Sequence, residues 1–241
     1  MSLFEHKGIC LSIWPVQGEY ATTRKEAPVV VRVDFNISLD GFATTTDQTP
    51  EQPMGADWMR LVGAYIATRT MRERVFKDTS GEGTTGVDDR YARAYFDNIG
   101  AEIMGAGMFG LHSFPDDPNW KGWWGDEPPF RVPVFVLTHR KLPSIEMAGG
   151  TIFHFLDATP VEALRQAVAV AGGKDVRVGG GASTTRDFLK TGLVDRLHVA
   201  IVPILLGRGI RLWDDLRGFE LGYTAESETA ESGTIHLTFR R

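Results

Sequence analysis

A run of glycines between an apolar segment and a helical segment is the strongest candidate for a chemical site. Residues 176–185 read V-R-V-G-G-G-A-S-T-T. Glycines have no Cβ, so backbone N–H groups can approach an anion closely, and a helix N-terminus adds unpaired N–H donors and a partial positive charge. A tight turn alone would need only one glycine. We therefore predict a phosphate site, formed by Gly179, Gly180, Gly181, Ala182 and Ser183.

A second glycine-rich segment, I-M-G-A-G-M-F-G over residues 103–110, also joins an apolar run to a short helical pattern. It matches G-x-G-x-x-G, but a dinucleotide fingerprint of that kind also needs an acidic residue ~20 positions further on, at the end of a strand. Glu127 lies near that distance within a proline-rich segment. We therefore interpret Gly105 and Gly107 as a second glycine-lined wall of a cleft, with close backbone packing as the alternative.

Polar side chains end a third apolar run, V-F-V-L at residues 134–137, which is followed by Thr138, His139 and Arg140. The carboxyl ends of strands in an α/β sheet face the ligand crevice. A hydroxyl together with a guanidinium suits a phosphate monoester, such as the 2′-phosphate of NADPH. The alternative is a solvated strand end with no ligand.

Two carboxylates follow the first apolar strand and are candidates for the substrate side of a site. Asp40 precedes Gly41, where it could orient a substrate or relay a proton, or could serve only the turn. Asp57 precedes a helical pattern and could equally be the N-cap of that helix.

A proline-rich segment over residues 120–130 carries three tryptophans, which is unusual for a loop. Trp123 and Trp124 could line a pocket for a flat ring. Two alternatives stand beside this one: the tryptophans could fill the core beneath the loop, or they could contact a second subunit.

Several other chemistries are disfavoured. Cys10 is the single cysteine, and the six histidines show no metal-ligand spacing. Thr185 stands where the nucleophile turn of a serine hydrolase, with Ser183 as nucleophile, would need glycine. The net charge of -5 argues against nucleic acid and anionic membranes as partners, and without a signal-like N-terminus we expect a cytoplasmic protein.

Alternating strand and helix patterns must position these residues. The first strand is a β-branched and aromatic run from about residue 29 to 37, and helices are predicted over 56–76, from the N-cap Asp88 onward, over 160–171 and over 182–190. Further strands are predicted at 101–104, 132–138, 151–155, 176–178 and 195–205, with a closing antiparallel hairpin at 220–240. This order predicts an α/β fold with a mixed, mostly parallel sheet flanked by helices. We divide the chain into an N-terminal extension, 1–27, without an assigned role, and a domain over 28–241.

Five segments in this order resemble the dihydrofolate reductase-like family, in particular the reductase domain of bifunctional riboflavin-biosynthesis deaminase/reductases and its stand-alone bacterial relatives. The similarity runs from about residue 29 to 241. The segments are S-L-D-G at 38–41, I-M-G at 103–105, V-L-T-H-R at 136–140, G-G-G-A-S at 179–183 and V-P-I-L-L-G-R-G at 202–209.

The resemblance implies a mixed sheet flanked by helices, NADPH as hydride donor and a homodimer. By position, the two glycine segments would hold the cofactor pyrophosphate, Thr138 and Arg140 would approach the adenosine 2′-phosphate, and Asp40 would face the substrate. Ala106 departs from the family, which often has arginine there, and this leaves NADH, a flavin or a lost activity open. We predict an NADPH-dependent reductase of a small heterocyclic or carbonyl-type substrate. The alternative is a non-catalytic nucleotide-binding or sensor protein.

Overall fold

Six parallel strands form the centre of a nine-stranded sheet in the computed structural model, which describes residues 29–44, 47–49, 51–52, 54–114 and 116–241. The proposed extension, 1–27, lies outside these residues. The strands are β1 (Val31–Ser38), β2 (Phe42–Thr44), β3 (Ile99–Gly105), β4 (Pro133–Leu137), β5 (Ile145–Glu146), β6 (Ile152–Leu156), β7 (Asp175–Gly180), β8 (Arg196–Val202), β9 (Ile210–Arg211), β10 (Thr224–Thr229) and β11 (Ile235–Arg240).

The strand order in the large sheet is β10-β11-β8-β1-β7-β3-β4-β6-β5. Strands β8, β1, β7, β3, β4 and β6 are parallel to one another, whereas β10, β11 and β5 pair antiparallel with their neighbours. The helices are α1 (Trp58–Ile66), α2 (Arg69–Arg74), α3 (Val87–Phe96), α4 (Ala106–Phe109), α5 (Pro160–Val170) and α6 (Ala182–Lys190). The predicted mixed, mostly parallel fold with a closing hairpin is confirmed. Among the described helices, none has the length and apolar character needed to span a membrane.

The helix predicted over 56–76 is two helices, so that prediction was wrong at its centre. Thr68 has an extended backbone, with φ -67° and ψ 149°, and its hydroxyl accepts a hydrogen bond from the N–H of Met71. Threonine suits such an N-cap position. The chain on either side also bonds to Thr84, whose carbonyl accepts from the N–H of Arg69. These contacts end α1 and begin α2 at this point.

The N-cap of α3 is Gly86, not Asp88 as predicted. Asp88 lies inside the first turn and is buried, because its carboxylate bonds to the ring of His236 on β11. The last long strand also ends earlier than predicted, at Val202 before Pro203. Proline lacks the N–H that would continue the ladder.

One face of the sheet is apolar and packs against α5 and α6. Side chains alternate between the two faces of a strand. On β1 and β7, Val33, Ile37 and Val178 therefore meet Leu164 of α5 and Phe188 of α6 in the main core. The side chains on this face therefore need no hydrogen-bond partners when they are buried.

The opposite face is polar, although it is buried as well. Arg32, Glu102, Arg177 and His198 are each at most 5% exposed. Tyrosines from α1 and α3 cover this face. Tyr95 packs edge-on to Tyr65 with ring centroids 5.9 Å apart, and the guanidinium carbon of Arg177 lies 3.5 Å from the Tyr95 ring centroid. The sheet thus separates an apolar layer from a polar one.

Arg177 and Glu102 form the central ion pair of this polar layer. An Nη2–H of Arg177 donates to Glu102 Oε2, and its Nη1–H donates to the carbonyl of Tyr95 at 2.6 Å. The two side chains are 2% and 1% exposed. Although burial opposes it, the Glu102 charge raises the pKa of Arg177 above its usual value, so the guanidinium stays charged.

Candidate functional site

A cavity of about 1200 Å³ opens at the carboxyl ends of the parallel strands. It is bordered by Asn36 on β1, Gly105 on β3, Thr138 after β4, Asp157 after β6 and Gly180 on β7. Small-molecule pockets usually measure ~300–1000 Å³. The cavity therefore has room for a large ligand, or for two ligands side by side.

The predicted phosphate residues Gly179, Gly180, Gly181, Ala182 and Ser183 all line this cavity, at the junction of β7 and α6. Gly180 has φ +128°, a conformation that L side chains rarely adopt. Gly181 is the N-cap of α6 and has no side chain to accept from the first N–H groups of the helix. A Cβ on Gly181 would meet no atom within 4 Å. The helix start therefore faces open space that can accept an anion.

Gly105 and Gly107 also line the cavity, as predicted for the second glycine segment. A Cβ on Gly105 would lie 2.2 Å from Thr184 Oγ1, so glycine at this position leaves room for the Thr184 side chain of α6 against β3. A Cβ on Gly107 would lie 3.1 Å from His112 Nδ1. Gly105 therefore lines the cleft and also allows close packing against α6, so both of the predicted alternatives apply to it.

Thr138, His139 and Arg140 lie together at another part of the cavity wall. The Thr138 hydroxyl accepts from the N–H of Arg140 at 3.1 Å, and His139 Nδ1 lies 2.7 Å from Asp157 Oδ1. Within the described chain, Arg140 is the one arginine or lysine that lines the cavity. Asp157, which was not predicted from the sequence, lines the same cavity and pairs with His139.

Asp40 has a different environment from the one predicted. Its carboxylate accepts hydrogen bonds from the Ser38 hydroxyl at 2.5 Å, from the Leu206 N–H at 3.1 Å and from the Gly207 N–H at 2.7 Å. These donors, the Ser38 hydroxyl foremost, lower its pKa to about 2 against the effect of burial. Asp40 does not line the cavity. A role of Asp40 towards the substrate therefore stays a prediction, and in the structure its carboxylate joins the turn after β1 to the segment after β8.

Replacing Asp40 by asparagine is expected to reduce stability rather than substrate binding. Asparagine cannot accept all three hydrogen bonds as a carboxylate does, so we expect a loss of about 1 kcal/mol at neutral pH. A lowered carboxyl pKa stabilises the fold above the ordinary value of 3.8, and this contribution is lost as the pH falls towards about 2. Urea denaturation at neutral pH and at a pH of about 3 checks this. If the free energies of unfolding of the unaltered protein and of Asp40→Asn differ by the same amount at both pH values, this expectation is contradicted.

Asp57 is the N-cap residue of α1 but makes no side-chain cap hydrogen bond, and its carboxylate pairs with Arg60 at 2.7 Å. The described cavity lining includes its neighbour Trp58 and not Asp57. The structure therefore does not bring Asp57 together with the other predicted site residues.

The tryptophan segment wraps around the short helix α4. Trp123 and Trp124 line the cavity, whereas Trp120 does not. The indole N–H of Trp123 donates to the Met108 carbonyl at 3.0 Å, and Trp124 packs against Phe130 with ring centroids 4.8 Å apart. The segment thus combines two of the predicted alternatives, since it lines the pocket and also fills a core cluster.

The structure also places a carboxylate and an imidazole, both missed by the sequence analysis, on the cavity wall beneath α1 and α3. Asp34 on β1 and His198 on β8 lie 3.3 Å apart, each with a side chain 6% exposed. Burial raises the pKa of Asp34, but the hydrogen bond from His198 and the charge of Arg32 together hold it below its usual range. Asp34 is therefore an ionised carboxylate within the cavity.

Tyrosines complete this part of the wall. Tyr65 and Tyr95 line the cavity, and burial raises the pKa of both, that of Tyr95 to about 12. The Tyr65 hydroxyl is buried and has no hydrogen-bond partner among the described residues. It is therefore available to a ligand.

Comparison with known proteins identifies relatives of this chain. The family model of the RibD C-terminal domain matches residues 29–231. The uncharacterized protein YyaP of Bacillus subtilis (strain 168) is 33% identical over 67 residues, which cover 28% of this chain and 36% of YyaP. The matched part thus spans about a third of that relative's length.

Two solved structures share the fold. A putative riboflavin biosynthesis protein from Shewanella sp. PV-4 matches with a TM-score of 0.54 and 19% identity, covering 88% of this chain and 99% of that one. A diaminohydroxyphosphoribosylaminopyrimidine deaminase/5-amino-6-(5-phosphoribosylamino)uracil reductase from Thermotoga maritima matches with a TM-score of 0.51 and 14% identity, covering 88% of this chain and 56% of that one. At these identities the two structures establish the fold alone.

Proposed function

Because the chain belongs to the RibD C-terminal domain family, we propose that it is an NADPH-dependent reductase, which transfers a hydride to a small heterocyclic or carbonyl-type substrate. Residues 28–241 would make up the reductase domain, and 1–27 would be an extension. The observation that carries the proposal is the glycine-lined start of α6, where the position of a Gly181 Cβ opens into the cavity. The cavity residues fit a dinucleotide, whose reduced nicotinamide would supply the hydride when bound.

The chain's own residues would bind and orient both ligands. The N–H groups of Ala182 and Ser183 would bind the pyrophosphate, because neither has a partner one turn earlier in α6. Thr138 and Arg140 would bind the 2′-phosphate. We propose Asp34 in place of Asp40 as the substrate-side carboxylate, since Asp34 lines the cavity.

Aromatic side chains would exclude water from the substrate. Trp123 and Trp124 line the cavity beyond α4, and Tyr65 and Tyr95 line it beneath α1 and α3. Flat faces of this kind suit a heterocyclic ring, and the buried Tyr65 hydroxyl can donate to a ring nitrogen or a carbonyl oxygen. The homodimer that the resemblance implies stays a prediction, and we propose that the C-terminal strands form its interface.

Titration with NADPH, NADH, FMN and FAD, followed by tryptophan fluorescence, tests the proposed cofactor. We expect NADPH to quench the most strongly, and we expect carbonyl or cyclic imine substrates to accelerate its oxidation. Tight NADPH binding without oxidation by any substrate would favour the non-catalytic alternative. Binding of flavin alone would contradict the proposal.

Arg140→Ala is expected to weaken NADPH binding by about 10- to 100-fold, which corresponds to roughly 1.5–3 kcal/mol for a lost charge-assisted hydrogen bond. NADH has no 2′-phosphate, so its affinity should change by less than about threefold. Asp157→Asn is the matched opposite change, since it removes a negative charge from the same part of the wall. It should strengthen NADPH binding. If Arg140→Ala weakens the binding of NADPH and NADH equally, Arg140 does not bind the 2′-phosphate.

A further inference from the structure

Four side chains form a continuous row from the cavity wall to the start of α3. Asp34 Oδ1 lies 3.3 Å from His198 Nδ1, His198 Nε2 lies 2.9 Å from His236 Nδ1, and His236 Nε2 lies 2.9 Å from Asp88 Oδ1. None of the four side chains is more than 9% exposed. Two of them, Asp34 and His198, line the cavity. The row therefore connects the cavity to a second buried carboxylate.

Tyr91 on α3 holds the two imidazoles in one plane. Its ring stacks on His198 with centroids 4.4 Å apart and on His236 with centroids 4.0 Å apart. The planes of the two imidazoles differ by 12°. The facing nitrogens therefore lie close to the planes of both rings, as a direct hydrogen bond between them requires.

The three contacts in the row need more protons than the neutral groups carry. Each of the two hydrogen bonds contains one proton, and the 3.3 Å contact of His198 Nδ1 with the Asp34 carboxylate requires a third, because a ring lone pair there would face the carboxylate. Two neutral imidazoles carry one N–H each, and two carboxylates carry none, so they supply only two. The row therefore holds one additional proton, because otherwise two lone pairs would face each other at one of the contacts.

Each imidazole has a carboxylate on its outer side, and this arrangement places the additional proton on the imidazole pair. Burial and the neighbouring His198 lower the pKa of His236 overall, although the hydrogen bond to Asp88 raises it, so the contacts in the row and not the pKa of His236 argue for the additional proton. The ionised state of Asp34 leaves the proton with the imidazoles. The other charged or titratable groups around the row lie on β1, β3, β7, β8, α1, α3, β10, β11 and the turn after β10: Arg32, Glu102, Arg177, Arg196, Tyr65, Arg90, Tyr91, Tyr95, Glu228, Arg240 and Glu231.

We infer that this row stores one proton and delivers it through Asp34 to the reduced substrate, an inference that rests on the reductase function proposed above. In that reaction the bound cofactor would supply a hydride, which would form a C–H bond at the carbon of a substrate C=O or C=N group while the π electrons of that group move to its oxygen or nitrogen. That atom would take the proton of the row through Asp34, and the row would regain a proton from water at its Asp88 end.

In this inference Asp34 contacts the substrate, and His198, His236 and Asp88 act through it. A purely structural row would need the same contacts, but its protons would take no part in the pH dependence of the reaction. Hydride addition makes the substrate oxygen or nitrogen basic, and a proton held at the cavity wall neutralises it without waiting for one from the solvent. The pH profile therefore separates the two roles.

The first test counts protons in the protein without cofactor or substrate. With ¹⁵N-labelled histidine, NMR spectra should show three protonated nitrogens among the four ring nitrogens of His198 and His236 at neutral pH. In His236→Gln, His198 should keep a single N–H. A count of two in the unaltered protein would overturn the stored proton, whatever the activity proves to be.

The second test follows single-turnover hydride transfer from bound NADPH as a function of pH. The unaltered protein should have a rate that is flat across the neutral range. His236→Gln, whose amide can reach Asp88 but cannot take up a proton, should have a rate that falls by about tenfold per pH unit. Asp88→Asn should change the pH profile in the same direction. It replaces His236→Gln in this test if His236→Gln does not fold.

Thr238→Val is the matched control. Thr238 lies on β11 next to the row, is fully buried and has a hydroxyl without a hydrogen-bond partner among the described residues. The pH profile of Thr238→Val should remain that of the unaltered protein. Identical profiles in all variants would overturn delivery through the row. Absence of NADPH oxidation in the unaltered protein would contradict the reductase function, while the proton count would still decide on the stored proton.

Discussion

Arg177→Met is expected to lower the free energy of unfolding by about 3–5 kcal/mol, the usual cost of breaking a buried ion pair by removing one partner. The change leaves Glu102 buried between β3 and the tyrosine layer without a counter-charge. It also removes the hydrogen bond to the Tyr95 carbonyl and the contact with the Tyr95 ring. Urea denaturation followed by circular dichroism measures the loss.

The double variant Arg177→Met, Glu102→Gln is the control for this prediction. Removing both charges avoids an unpaired buried carboxylate, so part of the stability should return. Glu102→Gln alone should cost less than Arg177→Met, because the amide can still accept from the guanidinium. A loss below about 1 kcal/mol in Arg177→Met would show that Glu102 finds another partner or a proton.

Gly181→Ala is expected to weaken NADPH binding by about 100-fold, which corresponds to roughly 2.7 kcal/mol. The new methyl group would enter the open space in front of the α6 N-terminus, where the pyrophosphate would approach the backbone N–H groups. No atom of the protein lies within 4 Å of this methyl position, and φ at Gly181 is -75°, so the fold should accept alanine. Fluorescence titration gives the affinity, and thermal denaturation verifies the fold.

Gly63→Ala is a matched control for the added methyl group. Gly63 lies inside α1, has no atom within 4 Å of its Cβ position and does not line the cavity. Alanine there should leave cofactor binding unchanged and should stabilise the helix by about 0.5–1 kcal/mol. If Gly181→Ala binds NADPH as tightly as Gly63→Ala does, the pyrophosphate does not lie at the start of α6.

The fold and the glycine-lined part of the site were predictable because both depend on local patterns. The strand and helix alternation indicates a parallel sheet, and Gly179, Gly180 and Gly181 stand at a junction between a strand and a helix. The carboxyl ends of parallel strands meet at one edge, so this junction and Thr138 had to line the same crevice. Sequence order alone was sufficient for that inference.

The polar wall of the cavity was missed, although β1 carries its signal. Arg32, Asp34 and Asn36 alternate with Val33 and Phe35, which would be typical of a strand with one face in water. The strand prediction used only the apolar members. In a central parallel strand both faces are covered, so the charged members had to be buried and paired. Their partners, His198 on β8 and Asp175 on β7, are distant in sequence, and no local pattern identifies them.

Asp40 was selected from its local sequence, although its contacts come from distant residues. Its S-L-D-G segment matched the family, and a carboxylate at the end of a strand suggested chemistry. The donors that occupy this carboxylate are the N–H groups of Leu206 and Gly207, more than 160 residues away. Only the tertiary structure reveals that Asp40 is committed to a turn.

The separation of the sheet into an apolar face and a charged face also has a consequence for strand pairing during folding. A shift of β1 by one residue would turn Arg32 and Asp34 towards α5 and α6, and Val33 towards the tyrosines. Two charges would then lie among aliphatic side chains without partners, at a cost far above that of a displaced valine. Misaligned pairings of β1 with β7 or β8 are therefore much less stable than the native one, and the buried charges that border the cavity also ensure that its strands meet in a single alignment.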